Sequence, residues 1–223
     1  MDTPSGIPIM LDVLGRRCVV VGGGPVALRR AKALLDAGAE VVVVAPDVEP
    51  GLLALEEEGK PITIHRRGFE PRDMDQAFLA VIATNVDRVN EGADWAARER
   101  GVLINRADAG ERSNATFMAA HRRGPLTVAV HTGGASANAS KQIRDHLVEH
   151  LDPDWQTLLQ YAQDSRESFL NIVDPDKRRK ALLSLVNETA MHTLKAKGAE
   201  ALRAYYADLK KQVWDEGREG GDE

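Results

Sequence analysis

The stretch Arg17-Cys18-Val19-Val20-Val21-Gly22-Gly23-Gly24-Pro25-Val26-Ala27 decides the fold. A short apolar run ends in glycines. It opens directly into Ala27–Ala37, a segment rich in Ala, Leu, Arg and Lys, which favour helix. Strand, glycine turn and helix in that order form the setting that the dinucleotide fingerprint G-x-G-x-x-A requires. Gly22 permits the tight turn, Gly24 lets a pyrophosphate approach the backbone, and Ala27 lets helix and strand pack closely. Free N–H groups and a positive dipole end at the helix start, around Pro25 and Val26, suit phosphate. Gly22, Gly23, Gly24, Pro25, Val26 and Ala27 are therefore the candidate cofactor loop.

The flanking sequence repeats this alternation. Gly38 closes the first helix as a C-terminal glycine does. Glu40–Ala45 reads as a second buried strand stopped by Pro46, followed by a short helix over Leu52–Glu58. Ile62–His65, Ala77–Ala83 and Val102–Asn105 are further strands, with a helix over Val86–Arg100. Continuous apolar strands alternating with helices imply a parallel sheet covered on both faces, the doubly wound α/β plan. The pattern changes after about residue 112. Leu126–Val130 is a clear strand after a strand-like or irregular Thr116–His121, and a helix runs from about Asn138 to His150. Beyond that, Trp155, Leu158, Leu159 and Ala162 show helical spacing, as do Leu202, Tyr205, Tyr206, Leu209 and Val213. The polar Gly217–Glu223 tail is expected to be disordered.

Composition bounds the function. Hydrophobic residues are 43% and charged residues 28% of 223, an ordinary globular balance. Aromatics are few, at 3 Trp, 3 Tyr and 4 Phe, so the core is aliphatic. A net charge of −5 argues against a nonspecific nucleic-acid binder. One cysteine, Cys18, leaves no disulfide framework and no Cys-rich metal site. No apolar run approaches a membrane span, and the N-terminus lacks a signal-peptide pattern. A cytoplasmic protein without membrane or nucleic-acid partners is expected.

Candidate chemistry gathers at strand ends. Asp47 is the acid nearest the position expected to bond a ribose, and no Arg or Lys is expected nearby to hold a 2′-phosphate. That favours NAD over NADP, although Asp47 reads equally well as a loop residue. Thr84 and Asn85 end the fourth strand, on the edge where such sheets bind ligands. Asp108 follows the fifth strand, beside Asn105, and a carboxylate there could take a proton as a hydride leaves. A cap or turn role explains it too. His131, Thr132, Gly133, Gly134 and Ser136 lie between a strand and a helix. They could hold a substrate carboxylate, or simply make a loop with Ser136 as helix cap. Arg29, Arg30, Lys32, Arg122 and Arg123 read as solvated residues. His146-Leu147-Val148-Glu149-His150 matches H-x-x-E-H, but histidines suit a helix C-terminus for electrostatic reasons, so no metal site is expected.

Taken together, several segments in order resemble precorrin-2 dehydrogenases of the siroheme-synthase type. They are Pro8–Asp12, Val19–Ala27, Val43–Pro46, Ile82–Asn85 with Asn90, Asn105–Ala109 and Pro125–Ser136. Three positions depart from that family's pattern: Arg106 stands for an apolar residue, Gly110 for a proline, and Ala135-Ser136-Ala137 for Thr-Ser-Pro. The resemblance implies a Rossmann domain over 1–112, a dimerisation region over 113–150 and a small all-helical domain over 151–223, joined in a homodimer. It implies NAD-dependent oxidation of precorrin-2 to sirohydrochlorin. Fe²⁺ insertion is carried out by many members and left by others to a separate protein. It gives Asp108 the role of the essential aspartate and places Thr132 near the substrate cavity. The chain ends before a methyltransferase domain would begin. A chelatase-only protein and a non-catalytic nucleotide sensor remain alternatives.

Overall fold

Valine runs that bury both faces of a strand form the centre of the structure, a computed structural model that describes residues 6–215. Strand β1 (Arg17–Val21) pairs in parallel with β2 (Glu40–Val44) on one side and β4 (Leu79–Ile82) on the other. Strand β3 (Ile62–His65) extends the sheet beyond β2, and β5 (Leu103–Arg106) extends it beyond β4. The order is β3-β2-β1-β4-β5, all parallel. The winding therefore reverses between β1 and β4, which opens a crevice at their carboxyl ends.

Residues that point to opposite sides of β1 enter separate cores. Cys18 and Val20 pack with Ala27, Ala31 and Leu34 of α1 (Pro25–Asp36) and with Leu52 of α2 (Pro50–Glu57). Val19 and Val21 pack with Met74 and with Ala93, Ala96 and Ala97 of α3 (Asp87–Glu99). The small alanines let α3 lie close on the sheet. Cys18 has no exposed surface, and burial pushes its thiol up to about 11.

The chain divides into two compact units between Phe117 and Met118. The second begins with an antiparallel hairpin, β6 (Ala119–Arg123) and β7 (Leu126–Val130). Its loop is Gly124-Pro125, with Gly124 at φ +56, the positive φ that a two-residue hairpin turn needs. Arg122 and Arg123 are the last two residues of β6. Helix α4 (Ala137–Glu149) follows, then α5 (Asp154–Leu170), α6 (Pro175–Ser184) and α7 (Glu188–Asp215). Gly198, at φ +81, interrupts α7.

Leu158, Ala162, Leu202 and Tyr206 bury the helical core, as the helical spacing predicts, and Phe169 joins them. Trp155 departs from it and is 37% exposed. Val213 and the expected disordered tail, Gly217–Glu223, lie outside the residues whose side chains are described. The Tyr206 hydroxyl donates to the Leu185 carbonyl at 2.5 Å, and burial pushes the phenol up to about 12. Tyr206→Phe should cost about 1–3 kcal/mol, because a buried carbonyl loses its donor. Urea unfolding monitored by circular dichroism would measure it.

Candidate active site

The turn after β1 is shaped by its neighbours. Gly22 sits at φ +124, and a Cβ there would lie 2.3 Å from the Ala83 carbonyl oxygen. A Cβ on Gly23 would lie 2.0 Å from the Asp47 carbonyl oxygen. The Gly22 N–H donates to Val44, and the Gly23 carbonyl accepts from Glu49. The turn is thereby clamped to the ends of both β2 and β4. A Cβ on Gly24 would meet no atom within 4 Å. The glycine at that position therefore answers to no protein atom, and the space beside it fits a group brought from outside.

Gly24 is also the N-cap of α1, with Pro25 at its start and Ala27 fully buried beneath it. The first-turn N–H groups of Val26 and Ala27 have no intrahelical partners and are available to an anion. The loop fits a dinucleotide pyrophosphate.

Asp47 is exposed, just beyond β2. Sequence proximity misleads about its surroundings. Val44 pairs with His65, so the end of β3 lies beside the end of β2 and brings Arg66 to the same edge. Arg66 is exposed and has no ion-pair partner among the described residues, whereas Arg67 is held by Asp73 at 2.6 Å. The expectation that this edge carries no cation is corrected by the strand order.

At the end of β4, Thr84 is tied into a polar network and Asn85 is exposed. The Thr84 hydroxyl donates to Asn90 Oδ1 at 2.6 Å. Asn90 Nδ2 donates both to the Thr84 carbonyl and to Asp108 Oδ2, each at 3.0 Å. Asn90 is 1% exposed, so every polar atom of its amide is spent. It links the end of β4 to the segment that follows β5.

Asp108 itself is gripped by Arg106. Nε and Nη2 of Arg106 meet Oδ1 and Oδ2 of Asp108 at 2.9 and 2.6 Å, a bidentate fork. Nη1 of the same guanidinium reaches Glu91 at 3.2 Å and lies 3.7 Å from Asp94. Arg112 binds Glu91 as well, and Asp94 at 2.8 Å. Asp94 also takes Arg98 at 3.1 Å. The Arg106 side chain is 3% exposed and that of Asp108 is 32% exposed. The Arg106 fork holds the Asp108 carboxyl far below the usual carboxylate range, with Asn90 assisting and partial burial opposing. Because the folded value is depressed, this pair stabilises the fold fully above about pH 4. The contribution disappears only as pH falls further, through the folded value.

Other expected residues have local roles. Asn105 is 5% exposed and donates to the Ala115 carbonyl at 3.0 Å, so its amide holds the following loop. In the second unit, Gly133 and Gly134 both take positive φ. Ser136 caps α4 by accepting from the Ala139 N–H at 3.1 Å. The Thr132 hydroxyl lies 2.8 Å from that of buried Ser140 and accepts weakly from the Ser136 N–H. Exposed His131 accepts from the Gly133 N–H. These residues form one capping network. Arg30, expected to be solvated, stacks 4.1 Å from the centre of the Phe117 ring. His146, Glu149 and His150 come together in the last turn of α4, with one ligand atom from each within 4.8 Å. All are exposed, and His150 Nδ1 is committed to the His146 carbonyl.

Asn90, Asp94 and Arg98 recur every fourth residue along α3, a polar stripe readable in the sequence. That stripe is the signal for the network, and of its three residues only Asn90 also belongs to the segments that carry the family resemblance.

Residues 9–119 match a family model described as NAD(P)-binding. The siroheme synthase of Chromobacterium violaceum is 35% identical over 207 residues, covering 92% of this chain and 43% of that protein. The siroheme synthase of Methylococcus capsulatus is 34% identical over 174 residues, covering 78% of this chain and 36% of that protein. The chain thus spans less than half the length of these curated relatives. The solved structure of SirC, a precorrin-2 dehydrogenase, superposes with a TM-score of 0.77 at 28% identity, covering 92% of this chain and 100% of that one.

Proposed function

Because this chain belongs to the precorrin-2 dehydrogenase family, we propose that it oxidises precorrin-2 to sirohydrochlorin with NAD⁺ as hydride acceptor. One observation carries the reading. The reversal of winding between β1 and β4 sets the glycine turn beside the end of β4, and Asn90 ties that end to Asp108. A pyrophosphate cradle and a fixed carboxylate thus share one edge of the sheet.

Bound NAD⁺ supplies the electron-pair acceptor. Gly24 and the first turn of α1 bind its pyrophosphate, and Asp47 meets the ribose. Asp108 stands where charge develops on the substrate. Sirohaem synthesis also needs Fe²⁺ insertion, which requires a group that accepts pyrrole protons. A carboxylate held by a guanidinium is poorly suited to that task, so the geometry favours the dehydrogenase over the chelatase.

The test is NADH formation, followed by absorbance, when purified protein meets freshly generated precorrin-2 and NAD⁺ without metal. Stoichiometric NADH supports the reading. A folded, NAD-binding protein that forms none removes it and favours a sensor. Adding Fe²⁺ to the product then tests chelation.

We also infer a homodimer built on the second unit. Helix α4 leaves Ile143 and Leu147 45% and 48% exposed, one turn apart, as an apolar face does before it is covered. Light scattering should return twice 24.3 kDa, and a monomer mass would remove the inference. No helix among the described residues is long and apolar enough to cross a membrane. A cytoplasmic location goes with the proposed co-substrate.

A further inference from the structure

We propose that Arg106 is a positioning residue that keeps Asp108 as a fixed anion, so that Asp108 serves the oxidation through its charge and not by taking up a proton. The inference rests on the dehydrogenase reading and deepens it.

The argument starts from how Arg106 is held. Its guanidinium is buried and has three carboxylate neighbours: Asp108 on its own strand end, and Glu91 and Asp94 on α3. Its place does not depend on Asp108, because the two acids of α3 would hold it anyway. Arg112, from the turn after Asp108, neutralises the same acids from the other side, and Arg98 adds a further contact to Asp94. The charged groups around Asp108 are thus Arg106, Glu91, Asp94, Arg112 and Arg98. Among the described residues only Arg106 of these touches it, through two of its nitrogens. Asn90, which is neutral, donates to the same carboxylate. Every polar contact Asp108 receives from a side chain is a donor, and donors favour the ionised form.

A carboxylate so held is a weak proton acceptor. It is well suited to another task. Oxidation removes one hydride and one proton from the macrocycle. The hydride ends on the nicotinamide as NADH and the proton is released to water. Before the proton leaves, the macrocycle carries one extra positive charge. A preorganised anion beside it stabilises that state without reorganising. An apolar residue at position 106 would remove the fork and leave Asp108 free to titrate.

The test uses the full-length protein with ¹³C-labelled aspartate carboxyls, Asp108 being assigned by comparison with Asp108→Asn. In the wild type, Asp108 should remain ionised down to about pH 4, the ordinary aspartate value. In Arg106→Leu its midpoint should rise by at least about one unit, a tenfold gain in proton affinity. Arg106→Lys, which keeps charge without the fork, should fall between. NADH formation by the wild type should be flat where ordinary carboxylates titrate, and Arg106→Leu should gain an acid limb. A wild-type Asp108 that titrates at or above the ordinary value overturns the proposal, even if Arg106→Leu fails to fold. Equal midpoints in wild type and folded Arg106→Leu overturn it too. If Asp108 behaves as stated but the wild type makes no NADH, the dehydrogenase reading fails and the role of Arg106 in ionising Asp108 stands.

Discussion

Asp108→Ala should lower NADH formation from precorrin-2 by about 10²–10³-fold, the size expected when a preorganised charge at a reaction centre is removed. The loss should come without unfolding. The Asp108 side chain is about one-third exposed, and its removal leaves Arg106 paired with Glu91 and Asp94. Asn90 keeps both its bonds to Thr84. No buried charge is stranded, so the usual cost of breaking an ion pair is largely avoided. Asp108→Asn should be equally inactive, since it keeps shape and hydrogen-bonding capacity but loses the charge. Equal NAD⁺ affinity in wild type and both variants, with turnover lost, is the expected pattern. Turnover within a fewfold of wild type would remove Asp108 from the reaction.

The glycine turn gives the second large effect, through two substitutions with opposite consequences. Gly24→Asp should leave the fold intact, because no atom lies within 4 Å of the added Cβ and aspartate is a good helix N-cap. It should still weaken NAD⁺ binding at least about 100-fold, since a carboxylate would face the pyrophosphate and like charges brought together cost several kcal/mol. Gly22→Ala should do the reverse. Its Cβ would press on the Ala83 carbonyl at 2.3 Å, on a backbone at φ +124 that side chains resist. Strain and overpacking together should cost about 3–5 kcal/mol. Thermal unfolding beside calorimetric NAD⁺ titration separates the two. A Gly24→Asp protein that binds NAD⁺ normally would show that the pyrophosphate lies elsewhere.

Local signals made much of the first unit legible. Valine runs, helix-favouring segments and punctuating glycines each lie within a few residues, and together they mark five strands of a doubly wound sheet, while the strand order comes from the pairing. The position of Asp108 at the end of β5 follows from the same pattern. What the sequence concealed is nonlocal. Asn105 and Arg106 sit side by side, yet Asn105 turns to Ala115 and Arg106 to the acids of α3. Arg66 is remote from Asp47 in the chain and meets the same edge only because β3 pairs with β2. Thr132 and Ser136 read as ligand contacts because small polar residues after a strand serve either as binding groups or as caps. Their side-chain bonds place them in a cap.

The lone cysteine turns the central strand into a clock. Cys18 lies in β1 with no exposed surface and a thiol that stays protonated near neutrality. A thiol reagent can reach it only after the sheet separates. The labelling rate then reports how often the nucleotide domain opens, with no second thiol in the chain to confuse the signal. Any molecule that binds the closed form must slow that rate by the factor 1 + [L]/Kd. NAD⁺ affinity can therefore be read from protection of a single sulfur, without any turnover.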